Sequence, residues 1–162
     1  MIVYIGLGSN LSDPTAQLTQ ARSAISTLLL TREIACSSYY RSAPMGPADQ
    51  PDYVNAVLAI ETGLPPLELL RELQAIEQSH GRVRTGLRWG PRTLDLDILL
   101  FGDQVISSDD LKIPHPGMGE REFVLYPLAE IAPPGLKIPN LGNLQELVAA
   151  CPLRGLTRIT HD

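Results

Sequence analysis

Lysine, cysteine and aromatic side chains are all scarce in this chain of 162 residues, and each scarcity excludes something. Lys112 and Lys137 are the two lysines among thirteen basic residues, and no G-x-x-x-x-G-K-[ST] run occurs. A P-loop is therefore excluded, and Gly6-Leu7-Gly8 lacks the third glycine of a dinucleotide fingerprint. Cys36 and Cys151 are far apart and match no C-x-x-C pattern, so two small buried thiols are expected rather than a disulfide or a zinc site. The net charge is -5, and the aromatic pattern of an RNA-binding sheet is missing, which weighs against a nucleic-acid partner. No stretch approaches eighteen uninterrupted apolar residues. The N-terminus opens on a strand-like Ile2-Val3-Tyr4-Ile5 without a basic region and an apolar core ahead of it. A cytoplasmic protein with no membrane partner is the expectation.

What is present suits a single domain over residues 1–162, with 44% hydrophobic and 19% charged residues. Ile2 to Leu7 reads as a strand. Asp13 followed by Pro14 reads as a helix N-cap and first-turn proline, with Leu18, Ala21, Ile25 and Leu28 at helical spacing behind them. Thr31 to Tyr40 reads as a strand, Ser42 to Asp52 as a proline-rich loop, and Tyr53 to Thr62 as a third strand. Pro65 and Pro66 open a second helix whose Leu69, Leu73, Ile76 and His80 share a face, closed by Gly81. Thr93 to Phe101 is the fourth strand, and Gly102-Asp103 suits a tight hairpin turn before Gln104-Val105-Ile106. A turn at Pro114-His115-Pro116 and short helices near Arg121 to Ile131 and Leu144 to Ala150 complete the chain. The β-α-β-β-α-β order predicts an α+β, ferredoxin-like fold: an antiparallel sheet with helices packed on it, plus a C-terminal hairpin and short helices.

The densest chemistry lies between Gly81 and Leu100. Arg82, Arg84, Arg88 and Arg92 fall within eleven positions of an otherwise acidic chain, and the loop that carries them runs into a strand bearing Asp95 and Asp97. Successive strand side chains alternate, so the two carboxylates share one face and Leu94, Leu96, Ile98 and Leu100 the other. Either half alone is ordinary surface: a D-x-D can be a solvated face, and loop arginines usually are. Together they suit a divalent cation, since magnesium takes hard oxygen ligands, commonly one or two carboxylates plus substrate phosphates, while arginine grips phosphate bidentately. Gln74 and Glu77, three apart on the second helix, suit either a nucleotide-facing pair or a solvated face.

The run Arg88-Trp89-Gly90-Pro91-Arg92-Thr93-Leu94-Asp95-Leu96-Asp97-Ile98-Leu99-Leu100 resembles the signature of the 6-hydroxymethyl-7,8-dihydropterin pyrophosphokinases of folate biosynthesis. Further likeness lies at Tyr4 to Leu11, Gly46-Pro47, Gln50 to Asn55, Glu77, Gly81 to Arg84, Pro114-His115-Pro116, Arg121, Phe123 and Pro127 to Pro133, in the same order. The resemblance implies transfer of pyrophosphate from ATP to a reduced pterin by a monomer that uses two magnesium ions. It implies catalytic roles for Arg82, Arg92, Asp95 and Asp97, the last two as metal ligands. For ATP it implies Gln74, Arg82, Arg84, Arg92, Ile98, His115 and Arg121. For pterin it implies Ser42, Met45, Tyr53, Asn55, Trp89 and Phe123, with the ring stacked between Tyr53 and Phe123. It also places the 42–52 and 81–92 loops as flaps over the sheet.

Overall fold

The computed structural model describes residues 1–10, 13–42, 53–79, 94–153 and 155–159. The central strand β1 (Ile2–Ser9) is apolar on both faces and lies antiparallel between β4 (Tyr53–Thr62) and β5 (Leu94–Phe101). Helix α1 (Pro14–Ser26) starts as its sequence predicts: Asp13 takes a left-handed φ of 55° and its carboxylate accepts the Ala16 N–H at 3.4 Å, with Pro14 in the first turn. Leu18, Ala21 and Ile25 form its buried stripe.

The expected strand from Thr31 to Tyr40 is two strands, β2 (Thr31–Cys36) and β3 (Tyr40–Ser42), which pair with different halves of β4. The jog lies at Ser37, whose N–H donates to the Val57 carbonyl while its Oγ accepts the Val57 N–H, both at 2.9 Å. A serine can satisfy both strands' backbone groups in this way, so the ladder is interrupted without loss of hydrogen bonds.

Helix α2 (Pro66–Ser79) and α1 cover one face of the sheet, sealing Ile5, Leu58, Leu69, Leu73 and Leu96. The other face is covered by α3 (Glu122–Ile131) and α4 (Leu144–Ala150), which bury Val57, Leu99, Leu125 and Leu128. The ferredoxin-like order thus places α1 and α2 together, as expected, and the C-terminal helices add a third layer.

Two expectations are corrected. Leu100 does not share a face with Leu94, Leu96 and Ile98: the β1–β5 register shifts between Tyr4 and Ile5, so that Tyr4 faces Leu100 while Ile5 faces Ile98. Leu99 is the extra residue of this bulge, and Leu99 and Leu100 both enter the α3 side of the core, with Phe101 returning to the α1 side. The Gly102-Asp103 turn forms, with Gly102 at φ 56°, but the strand beyond it does not fold back on β5. Instead β6 (Ile106–Ser107) pairs with β7 (Lys112–Ile113). A second small hairpin joins β8 (Lys137–Ile138) to β9 (Gly142–Asn143), and β10 (Thr157–Arg158) adds itself to the main sheet beside β3.

Candidate active site

Strand β1 has no side chain at positions 6 and 8 on the face toward α3, and these gaps make a floor. Gly8 stands between Asn55 on β4 and Asp95 on β5; one row along, Gly6 stands between Val57 and Asp97. A methyl group at Gly8 would come within 3.1 Å of Asn55 Oδ1, tighter than ordinary packing, so the glycine is what lets the asparagine lie against the strand. Asn55 is 5% exposed, and its Nδ2 donates to Ser42 Oγ at 2.9 Å. Tyr53 lies two residues earlier on the same face of β4. The bulge at Leu99 ends the open floor by sending a leucine over Gly6, with its Cδ atoms 3.4 and 3.6 Å from where a Cβ would stand.

A cavity of about 690 Å³ rises from this floor. Ser42, Tyr53 and Asn55 line one part; Asp95 and Asp97 line another. Helix α3 supplies the roof. Its N-cap Arg121 places its guanidinium carbon 5.8 Å from the Phe123 ring centroid, a cation–π arrangement that turns both side chains to the cavity rim. Gly117, at φ 81°, keeps the neighbouring backbone clear, since a Cβ there would meet Arg121 Nε at 3.3 Å. His115 is fixed by its N–H to the Leu99 carbonyl at 3.0 Å and also lines the cavity. Its Nδ1 is buried and finds no hydrogen-bond partner among the described residues. Buried polar atoms are seldom left unpaired, so this nitrogen is available to a ligand.

Of the expected site residues that are described, Ser42, Tyr53, Asn55, Asp95, Asp97, His115, Arg121 and Phe123 converge on the one cavity. Gln74 is exposed on α2 and does not line it. Ile98 is 3% exposed and packs against the α1 side of the core, so its side chain builds the fold rather than the cavity. Met45, Arg82, Arg84, Trp89 and Arg92 lie outside the described residues, as do both expected flaps apart from Ser42.

Glu77 is neither a solvated nor a cavity residue. It is 8% exposed on the opposite face of the sheet, and its Oε2 accepts the Leu96 N–H at 2.7 Å, at the residue between the two aspartates. Its place in the helical stripe Leu69, Leu73, Ile76, Glu77 is the sequence signal for this: a carboxylate on an apolar stripe needs a buried donor. The pairing also caps β5 on the side away from β1, its only strand partner among the described residues. Glu130, toward the end of α3, is the other missed polar residue. It accepts from Ser38 N at 2.9 Å, Ser38 Oγ at 2.8 Å and Tyr40 Oη at 2.7 Å. Burial and the Glu130 carboxylate push the Tyr40 hydroxyl up to about 12.

The donor set fits magnesium. Asp95 and Asp97 offer hard oxygens in adjacent rows of the floor, and no cluster of three or more acidic, histidine or cysteine side chains forms among the described residues. Two carboxylates, with further oxygens supplied by a bound polyphosphate, are what magnesium commonly takes.

The sequence model of the 7,8-dihydro-6-hydroxymethylpterin-pyrophosphokinase family matches residues 4–133. The 2-amino-4-hydroxy-6-hydroxymethyldihydropteridine pyrophosphokinase of Pseudomonas aeruginosa is 55% identical over 157 residues, 97% of this chain and 96% of that one. The enzyme of the same name from Haemophilus influenzae is 57% identical over 145 residues, 90% and 89% of the two chains. Among solved structures, wild-type HPPK-DHPS of Plasmodium falciparum with pteroate superposes with a TM-score of 0.71 at 14% identity, over 92% of this chain and 42% of that one. That likeness is one of fold, and this chain spans under half of that structure's length.

Proposed function

The chain belongs to the 7,8-dihydro-6-hydroxymethylpterin-pyrophosphokinase family, and from that premise we propose that it moves the pyrophosphoryl group of ATP onto 6-hydroxymethyl-7,8-dihydropterin, releasing AMP, in folate biosynthesis. The enzyme is a magnesium-dependent, monomeric, cytoplasmic protein, one domain over residues 1–162. The observation that carries the assignment of roles is the row Asn55, Gly8, Asp95, which sets a ring-recognising group and a phosphate-handling group side by side on one floor.

In this reading the pterin lies between Tyr53 and Phe123, which offer aromatic faces, while Asn55 and Ser42 hydrogen-bond its edge. The hydroxymethyl group then points along the floor toward the aspartates. Its oxygen attacks the β-phosphorus of ATP and gives up its proton to solvent, the bond from that phosphorus to the α–β bridging oxygen breaks, and AMP departs carrying that oxygen. Asp95 and Asp97 are the residues that would hold two magnesium ions, and these, when bound, supply charge neutralisation along the triphosphate. His115 Nδ1 takes a hydrogen bond to the nucleotide, and Arg121 meets the polyphosphate from the rim. Arg82 and Arg92 neutralise charge that shifts during transfer, Arg84 closes over the triphosphate, and Met45 and Trp89 cover the pterin.

Replacing Asp95 or Asp97 by Asn tests the metal assignment. Turnover should be lost while the metal-free protein stays folded, because the substitution removes a charged metal ligand and leaves the strand pairing in place. Turnover within a few-fold of the parent in either variant refutes it.

A further inference from the structure

Helix α3 is tied to the C-terminal segment along a single stripe. Glu122, Tyr126 and Glu130 stand at i, i+4 and i+8 and so share a face. Glu122 Oε1 accepts the Gly155 N–H at 3.1 Å, Tyr126 Oη donates to the Cys151 carbonyl at 2.7 Å, and Glu130 Oε2 lies 4.0 Å from Arg158 Nη2. The same segment is sewn to β3: Thr157 pairs with Arg41, Arg158 with Tyr40, and Ile159 N–H donates to the Tyr39 carbonyl at 2.8 Å. Cys151, at its start, and Leu156, ahead of β10, are buried. Gly155 lines the cavity, and a Cβ added there would meet nothing within 4 Å, so the backbone itself stands at an open edge of the space.

The segment therefore spans the two walls that carry the ring-recognising groups. Strand β3 ends in Ser42, which holds Asn55, and Phe123 follows Glu122 in the first turn of α3. None of residues 151–159 falls within the 4–133 stretch that the family's sequence model matches. We propose that this segment is a positioning element for pterin: it closes the pterin side of the cavity, sets the spacing between Phe123 and the Tyr53–Asn55 edge, and leaves nucleotide binding unaffected. The inference rests on the placement of pterin between those residues.

The test is equilibrium binding of 6-hydroxymethyl-7,8-dihydropterin, and separately of a non-hydrolysable ATP analogue with magnesium, to the parent protein and to Tyr126→Phe, Glu122→Ala, Glu122→Gln, the Tyr126→Phe/Glu122→Ala double variant and Asn55→Ala. Loosening two anchors of the segment should raise the pterin Kd of the double variant about five- to tenfold, the scale of one or two modest hydrogen bonds. The nucleotide Kd should stay within about twofold, and Glu122→Gln, which keeps a carbonyl acceptor, should bind pterin better than Glu122→Ala. A double variant whose pterin Kd matches the parent's, while Asn55→Ala weakens pterin, overturns the role of the segment alone. An unaffected Asn55→Ala variant overturns the placement of pterin and the inference with it. Equal weakening of both ligands also overturns it, since that is the mark of general loosening.

Discussion

Glu77→Leu isolates the contribution of a buried carboxylate that holds the aspartate strand from behind. The side chain is 8% exposed, its Oε2 lies 2.7 Å from the Leu96 nitrogen, and β5 has β1 alone as a strand partner among the described residues. Removing the carboxylate forfeits a hydrogen bond to a charged group, worth about 1.5–3 kcal/mol net, and leaves an edge amide beneath the helix without an acceptor. Against that, leucine avoids the desolvation of a carboxylate and adds apolar burial of about 1–2 kcal/mol. The balance is a loss of about 1–2 kcal/mol, which for a domain of this size lowers the melting temperature by roughly 2–8 °C. Glu77→Gln keeps an acceptor and should lose less than half as much. Thermal melting at neutral pH and urea titration read the stability, and amide exchange at Leu96 reads the local effect, with faster exchange expected in Glu77→Leu and near-parental exchange in Glu77→Gln. Turnover should fall in Glu77→Leu as well, because Asp95 and Asp97 flank the released amide. A leucine variant as stable as the parent with Leu96 equally protected would show that the hydrogen bond contributes nothing to the strand.

Gly8→Ala should weaken pterin binding about three- to tenfold with little change in stability, because a methyl 3.1 Å from Asn55 Oδ1 must displace that amide by a few tenths of an ångström; pterin titration checks it, and an unchanged Kd would mean that the floor is not in contact with the ring. Acid should destabilise the fold partly through Glu33 and Glu130. The hydrogen bond from Arg22 holds Glu33 below the ordinary 4.5; burial works to raise Glu130, but hydrogen bonds from Tyr40 and Ser38 outweigh it and hold that carboxylate below 4.5 too. Below 4.5 the unfolded chain binds more protons than the folded one, so this stability is present above 4.5 and is lost as pH falls through the folded values. Glu33→Gln and Glu130→Gln should each flatten the decline of melting temperature on the acid side of 4.5, and an unchanged slope in both would remove these groups from acid unfolding.

Local signals account for much of the fold. Tyr53–Thr62 and Leu144–Ala150 occupy the spans their patterns predict, and Asp13-Pro14 caps a helix as its chemistry requires. Period two also puts Asp95 with Asp97 on one strand face before any coordinates are known, and the structure turns that face, together with Asn55, to the cavity. The pattern fails where a tertiary contact overrides it. The bulge at Leu99 adds one residue to β5 and turns Leu100 to the other face, which alternation alone cannot anticipate. The jog at Ser37 depends on Val57, twenty positions away, and β10 is a two-residue strand whose partner β3 lies more than a hundred positions earlier. Glu77 and Glu130 act through backbone amides and hydroxyls of other elements, so sequence spacing reveals their helix faces but not their partners.

ATP labelled with phosphorus-32 at the β position, incubated with the protein, magnesium and 6-hydroxymethyl-7,8-dihydropterin, tests the central claim most directly. Pyrophosphoryl transfer predicts that the label moves to the pterin product in one-to-one proportion with unlabelled AMP. Label retained in ADP, with a pterin monophosphate formed from the γ-phosphate, would contradict it.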